Sequence, residues 1–201
     1  MDKSAYPPDI HPESGCRLPP VERAALDDVG REIYDAHVDP TGESIAGLWG
    51  PGGIKLHSPR VSEFTRDLTH YLRGAAGLDP AIRETAILVT ARECDSQFEW
   101  TAHEPLARSE GVSDAVIDAI KHRKEPSAAP DDQAAVIRLG REMFVDRKVT
   151  PATYAKALEI FGPRMLVDVV TLMGNYAGTA AMLCAFDMQV RPGKVPLLPG
   201  D

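Results

Sequence analysis

The chain has 201 residues, 43% of them hydrophobic and 26% charged, and a formal net charge of −8. This is the composition of a soluble globular protein, long enough to bury well over half of its unfolded surface without disulfide staples. The excess of acid argues against a polyanion-binding surface, so no nucleic-acid partner is expected, and a small neutral or acidic metabolite is the ligand class left open.

In chain order, the opening "MDKSAYPPDIHPESG" lacks the apolar stretch of a signal peptide, which places the expected location in the cytoplasm. Residues 1–19 are proline-rich and expected to be extended. The segment "PPVERAALDDVGREIYDAHV" has the apolar spacing of an amphipathic helix. Residues 40–57 form a glycine-rich loop carrying Trp49 and His57, which either covers a pocket or links two helices.

From there a capping residue followed by proline recurs, at Ser58-Pro59, Asp79-Pro80 and Thr150-Pro151, each marking a helix start. The first of these helices carries Val61, Phe64, Leu68, Tyr71, Leu72 and Ala75 along one stripe and stops at Gly77. The second covers "AIRETAILVTAREC". A third begins at Ser96 and ends near Gly111, followed by "SDAVIDAIKH", by "PDDQAAVIRLGREMFVD" with an acidic first turn, and by "TPATYAKALEIFG".

The stretch from Met165 to Phe186 is apolar on nearly all sides and must be surrounded, by its own domain or by neighbouring subunits. Asp168 inside it would cost roughly 3 kcal/mol in a membrane, so no membrane span is expected. Gly174, Ala177, Gly178, Ala180 and Ala181 would admit other helices closely. No run alternates with period two. The expected architecture is all-α, about seven or eight helices in a single domain over 20–186, with a proline-rich tail at 187–201 that lies on its own or a neighbouring subunit.

Chemistry concentrates in "SQFEWTAH". Ser96, Glu99 and His103 fall on one side of a helix. One reading is a capping box, with Ser96 accepting from a first-turn N–H and Glu99 reaching back to the cap, while Phe98 and Trp100 enter the core. The other brings in Glu84, on the helix before. A short turn near Cys94 and Asp95 folds the two helices together, so that Glu84, Glu99 and His103 converge near a helix N-terminus. Two carboxylates and an imidazole in one partly dry space would have displaced pKa values, as proton transfer requires.

Residues 83–120, "RETAILVTARECDSQFEWTAHEPLARSEGVSDAVIDAI", resemble the core motif of the carboxymuconolactone decarboxylase and alkylhydroperoxidase D-like superfamily. With "GPGGIKLHSP" and "AFDMQVRPGKVPLLP", which are similar to uncharacterised members of its non-cysteine branch, the likeness covers most of residues 45–198. The resemblance implies an all-α fold of the alkylhydroperoxidase D-like type, a helix-mediated homo-oligomer (trimer or hexamer), and no organic cofactor. The peroxidase branch of that family carries a glutamate, a CxxC pair and a histidine. Those positions correspond here to Glu84, to Ser96 and Glu99, and to His103, so both cysteines are absent.

The three cysteines present, Cys16, Cys94 and Cys184, are widely separated and form neither a CxxC pair nor a zinc spacing, which fits a reducing compartment. Ser96 cannot replace a low-pKa thiolate, which disfavours peroxidase action. Cofactor-free decarboxylation of a small carboxylated lactone or keto acid fits better. In that reading His103 donates the proton, Glu84 assists it and Glu99 orients the imidazole, while Ser96, Phe98, Trp49, His57 and Asn175 line the substrate. A stable oligomer that binds a small ligand without turning it over is the non-enzymatic alternative. No metal is expected, although Glu99 and His103 could take one with His57 or His70. Asp168 and Asn175 either border the pocket or pair within the core, and Arg83 and Arg92 are expected in surface or intersubunit ion pairs.

Overall fold

A computed structural model of the chain describes residues 6–41 and 45–199. Among them are eight α-helices and no strand, so the protein is all-α. The helices are α1 (Asp28–Val38), α2 (Pro51–Lys55), α3 (Pro59–His70), α4 (Pro80–Glu93), α5 (Gln97–Ser109), α6 (Asp114–Lys121), α7 (Asp131–Arg141) and α8 (Pro151–Ala185). The chain divides into two compact units, one of residues up to Leu68 with Ala181–Val195, the other of Thr69–Ala180 with the residues from Pro196 on.

The second unit is organised around α4. Asp79 caps it by accepting from the backbone N–H groups of Ala81 and Ile82, and Pro80 occupies the first helical position, where a missing N–H costs nothing. Its middle, Glu84 to Arg92, is buried without interruption. It packs against α5, α6 and α7. Burying side chains such as Ile87 and Leu88 is worth about 1.5–3 kcal/mol each, so α4 anchors the core that also holds Trp100, Ile117, Ile137, Leu172 and Met173. The α4–α7 approach is close because Gly140 has no side chain: a Cβ there would lie 2.8 Å from Val89 Cγ1.

A helix surrounded by its own domain or by neighbouring subunits was expected at 165–186; within the chain it is covered on one face, while α4 is covered on all sides. Along α8 the buried face carries Leu166, Val169, Leu172, Met173, Tyr176 and Ala180, whereas Val167 is 63% exposed and Gly174 and Gly178 border open space. The small residues therefore do not receive another helix of this chain, among the described residues. By length and composition α8 would be able to cross a membrane, but half of its apolar stretch is buried within the chain. The two helices expected on either side of Gly162 are both present, and α8 is the pair of them, kinked at that residue. Gly162 stands at φ 66°, ψ 171°, because Pro163 clashes with a helical residue before it and only glycine takes that φ freely.

The stripe on α3 also differs from a core-facing one. Val61, Phe64, Leu68 and Tyr71 are exposed, and the buried side chains there are Ser62 and, in the π-helical turn Tyr71–Ala75 that continues the helix, Leu72.

In the first unit, the helix expected from residue 19 onward starts later. A short 3-10 turn at Arg23–Ala25 precedes Asp27, whose side chain accepts from Gly30 N–H and caps α1. Leu26, Ile33 and Leu56 form the small core of this unit. The described part of the N-terminal segment is folded rather than extended. His11 bridges to Cys16, Arg17 N–H donates to Phe186 O, and Gln189 N–H donates to Gly15 O.

Candidate functional site

Glu84 enters the site from the second turn of α4, and its side chain is 1% exposed. A helix covered on every side leaves its polar residues no route to water, so this carboxylate needs partners inside the protein. It finds two. His103 Nδ1–H, from α5, donates to Glu84 Oε2 at 2.8 Å, and Arg83 Nε–H donates to Oε1 at 3.2 Å. Burial pushes the Glu84 carboxyl up, but the His103 hydrogen bond and charge, with Arg73 and Arg83, outweigh it and hold the group below its ordinary value of 4.5.

The turn Cys94–Ser96 makes this meeting possible. Asp95 adopts φ 48°, Ser96 N–H donates to Ala91 O, and α5 leaves antiparallel to α4 from there. The imidazole of His103 is nearly closed to solvent, and its second nitrogen faces Glu99 Oε2 at 3.6 Å. With Nδ1–H given to Glu84, a neutral ring would turn a lone pair toward the Glu99 carboxylate. That placement sets Nε2 and the Glu99 carboxylate where a proton can be shared between them.

The capping box does not form. Ser96 is the N-cap residue of α5, yet its side chain makes no cap hydrogen bond, and Glu99 sits beside His103 instead of reaching back. Ser96 lies seven residues before His103, about 10 Å along the helix axis. Phe98 is buried, and Trp100 lies in the core, where its indole N–H donates to Glu104. Pro105, two residues past His103, removes one backbone hydrogen bond from α5 beside the site.

Asn175 does not reach into a pocket with its amide: Nδ2–H donates to Thr69 Oγ1 at 3.0 Å. Asp168 accepts from Arg164 at 2.8 Å and from the Tyr71 hydroxyl, so both polar groups of that helical face are paired internally. Trp49 and His57 belong to the first unit, where they tie chain segments together. Trp49 Nε1–H donates to Gln189 O and His57 Nε2–H to Pro19 O, both at 3.0 Å. The Trp49 ring lies directly over Gly15, at a spacing that admits no side chain there. Arg83 and Arg92 are not surface ion pairs. Their side chains are 13% and 8% exposed, Arg83 on Glu84 and Glu110, Arg92 on Asp95 and the carbonyl of Lys121.

Two residues of the site were not singled out in the sequence. Tyr176, from α8, sets its ring edge-on to His103, with centroids 5.2 Å apart and planes at 86°. Arg73, in the π-helical turn, donates from Nη1 to the Tyr176 hydroxyl at 3.4 Å. Burial pushes the Tyr176 phenol far above its usual range, so it remains a hydroxyl at any physiological pH. A tyrosine in an otherwise apolar helix was the available signal, since a buried phenol needs a polar partner.

Among the described residues no group of three His, Cys, Asp or Glu side chains is arranged to hold a metal ion, and the arrangement of Glu99 and His103 with His57 or His70 is not found. Cys94 is half-buried at the end of α4, where desolvation raises its thiol above the usual value. No family model matches the chain, and no curated protein is significantly similar to it.

Proposed function

We propose that the protein is a cofactor-independent acid/base enzyme, a decarboxylase of a small carboxylated lactone or keto acid, as the resemblance to the carboxymuconolactone decarboxylase family implies. The observation that carries this reading is the 2.8 Å bond between Glu84 and His103 in a space closed to water, with Glu99 on the second imidazole nitrogen. In the proposed reaction the bond between the ring or chain carbon and the carboxylate breaks, CO2 leaves, and the electron pair moves onto the adjacent carbonyl as an enolate. The proton held at His103 Nε2 then passes to that carbon, while Glu84 stabilises the imidazolium before transfer. A proton from solvent, relayed by the Glu99 carboxylate as product leaves, restores the ring. Dryness helps, because a carboxylate that has lost its hydration gives up charge more readily.

The acting form in this proposal is a cytoplasmic homo-oligomer, a trimer or hexamer. What supports association is the exposed apolar face of α8 at Val167 and Val170, beside the bare backbone at Gly174 and Gly178. Thiol peroxidase action has no support in the single half-buried Cys94.

The test is turnover of a panel of carboxylated lactones and β-keto acids, read as CO2 release. Glu84→Gln and His103→Ala should each reduce it by about 10²–10⁴-fold while the protein stays folded. Retained turnover in both variants removes the proposal. The near-complete burial of Glu84 and His103 favours a second reading, a ligand-binding oligomer in which the centre is structural. A hit that is held by the wild-type protein but never consumed selects it.

A further inference from the structure

The acid/base centre uses Glu84, Glu99 and His103; Arg73 acts on it only through its charge on Glu84, and the hydrogen-bond donors of the Arg73–Tyr176 pair beside it are not used by that centre. Arg83 and Arg73 are neighbours, linked by a bond from Arg83 Nη1–H to Arg73 O at 3.0 Å, but their guanidinium groups are in different situations. That of Arg83 is committed to two carboxylates, Glu84 and Glu110. That of Arg73 has no carboxylate within ion-pair distance among the described residues. Its one side-chain hydrogen bond is to the Tyr176 hydroxyl, which uses one of its five N–H donors.

Tyr176 is similarly incomplete. Its oxygen accepts from Arg73, while its own O–H has no acceptor among the described residues, although the residue is only 7% exposed. The Tyr176 hydroxyl, on a ring that packs against His103, keeps an uncommitted proton, and the Arg73 guanidinium that bonds it keeps uncommitted donors. They match an oxygen anion, and neither the Glu84 nor the Glu99 carboxylate nearby accepts a hydrogen bond from either donor group.

We propose that Arg73 and Tyr176 form the oxyanion-holding half of the site, binding a carboxylate or enolate oxygen of the ligand against the edge of His103. This rests on the proton-transfer reading for its chemistry, and adds the class of ligand: an anion with two oxygen-bearing groups. The departing carboxylate is not the group held here. Gripping it with a cation would stabilise the ground state and oppose loss of CO2, whereas holding the oxygen on which charge accumulates lowers the barrier. The ligand therefore carries one carboxylate to lose and, next to it, a carbonyl or second carboxylate for Arg73 and Tyr176. Arg73 reaches Tyr176 from the π-helical turn Tyr71–Ala75, which Leu72 anchors in the core.

Malonate is the probe, because it carries two carboxylates on one carbon, and malonamide is its uncharged counterpart. Titration calorimetry should show saturable malonate binding by the wild-type protein, a shift of the His103 ring resonances on binding, and no binding of malonamide. Arg73→Met should weaken malonate by roughly tenfold or more and Tyr176→Phe by a smaller factor, whereas Arg60→Met, at an exposed arginine of the first unit, should leave it unchanged. Absence of malonate binding by the wild type, unchanged affinity in Arg73→Met, or equal loss in Arg60→Met overturns the assignment. The two proposals fail separately. Malonate binding that depends on Arg73, together with undiminished turnover in Glu84→Gln and His103→Ala, would leave the anion site standing and remove the proton-transfer reading.

Discussion

Replacing Glu84 with glutamine keeps the volume and an acceptor oxygen but removes the charge from the centre of α4. The carboxylate makes two charge-assisted hydrogen bonds, to His103 and to Arg83, and its side chain is 1% exposed. Bonds to a charged group are worth about 1.5–3 kcal/mol each, and glutamine retains part of both, so a net loss of roughly 2–3 kcal/mol is expected. Against a total stability of about 5–15 kcal/mol the variant stays folded. Urea unfolding should be followed by the fluorescence of Trp100, which lies in the core of the second unit, in a Trp49→Phe background. With a urea dependence of about 2–3 kcal/mol per molar, the midpoint should fall by roughly 1 M.

The pH dependence gives the sharper check. The Glu84 pKa is lowered in the folded state, so its contribution is complete above the ordinary value of 4.5 and is lost as the pH falls through the folded value. The gap between wild type and Glu84→Gln should therefore be widest near neutrality and close well below pH 4.5. An equal gap at neutral and strongly acidic pH, or no gap at neutrality, refutes the ion-pair account of the site.

Three further outcomes are expected. Cys94→Ser should leave turnover and peroxide consumption unchanged, and the Cys94 thiol should react with a disulfide reagent more slowly at neutral pH than a free thiol, because burial raises its pKa. Gly140→Ala should destabilise by about 1 kcal/mol, overpacking against Val89 exceeding the gain in helix propensity; adding Val89→Ala should cost less than the sum of the two single changes. Gln97→Ala should free the tail: its side chain accepts from the N–H groups of Leu197 and Leu198 and donates to Leu198 O, so trypsin should cut after Lys194 several-fold faster while the unfolding midpoint moves little.

Much of the helical layout could be read from local chemistry. The Asp79-Pro80 start of α4, the Thr150-Pro151 start of α8 and the tight turn at Cys94–Ser96 depend on residues within a few positions of each other. The same locality explains why Glu84 and His103 were paired in advance: once two helices fold back on a three-residue turn, the register of one against the other is narrow. The resting place of the tail was open between its own and a neighbouring subunit. Its described end lies on its own chain, with Leu198 buried, because Gln97 offers both an acceptor and a donor there.

Local chemistry was insufficient wherever two partners were distant in sequence or one group had a choice. Ser96 and Glu99 have the spacing of a capping box, but Glu99 is within reach of an imidazole in a dry space, where an ionic partner outweighs a backbone amide. Only tertiary packing brought Tyr176 of α8 against His103 of α5, across more than seventy positions of chain, and set Arg73 on its hydroxyl. The burial of α4 rather than α8 was likewise a tertiary outcome. Periodicity reports how apolar a helix is, while which faces are covered depends on how many neighbours the fold supplies. From the residues alone came most of the helices, several of their starts and one acid–imidazole pair, though not α2, which lies inside the stretch read as a loop; the donors beside that pair, and the dryness that gives it chemical meaning, exist only once the chain has closed around it.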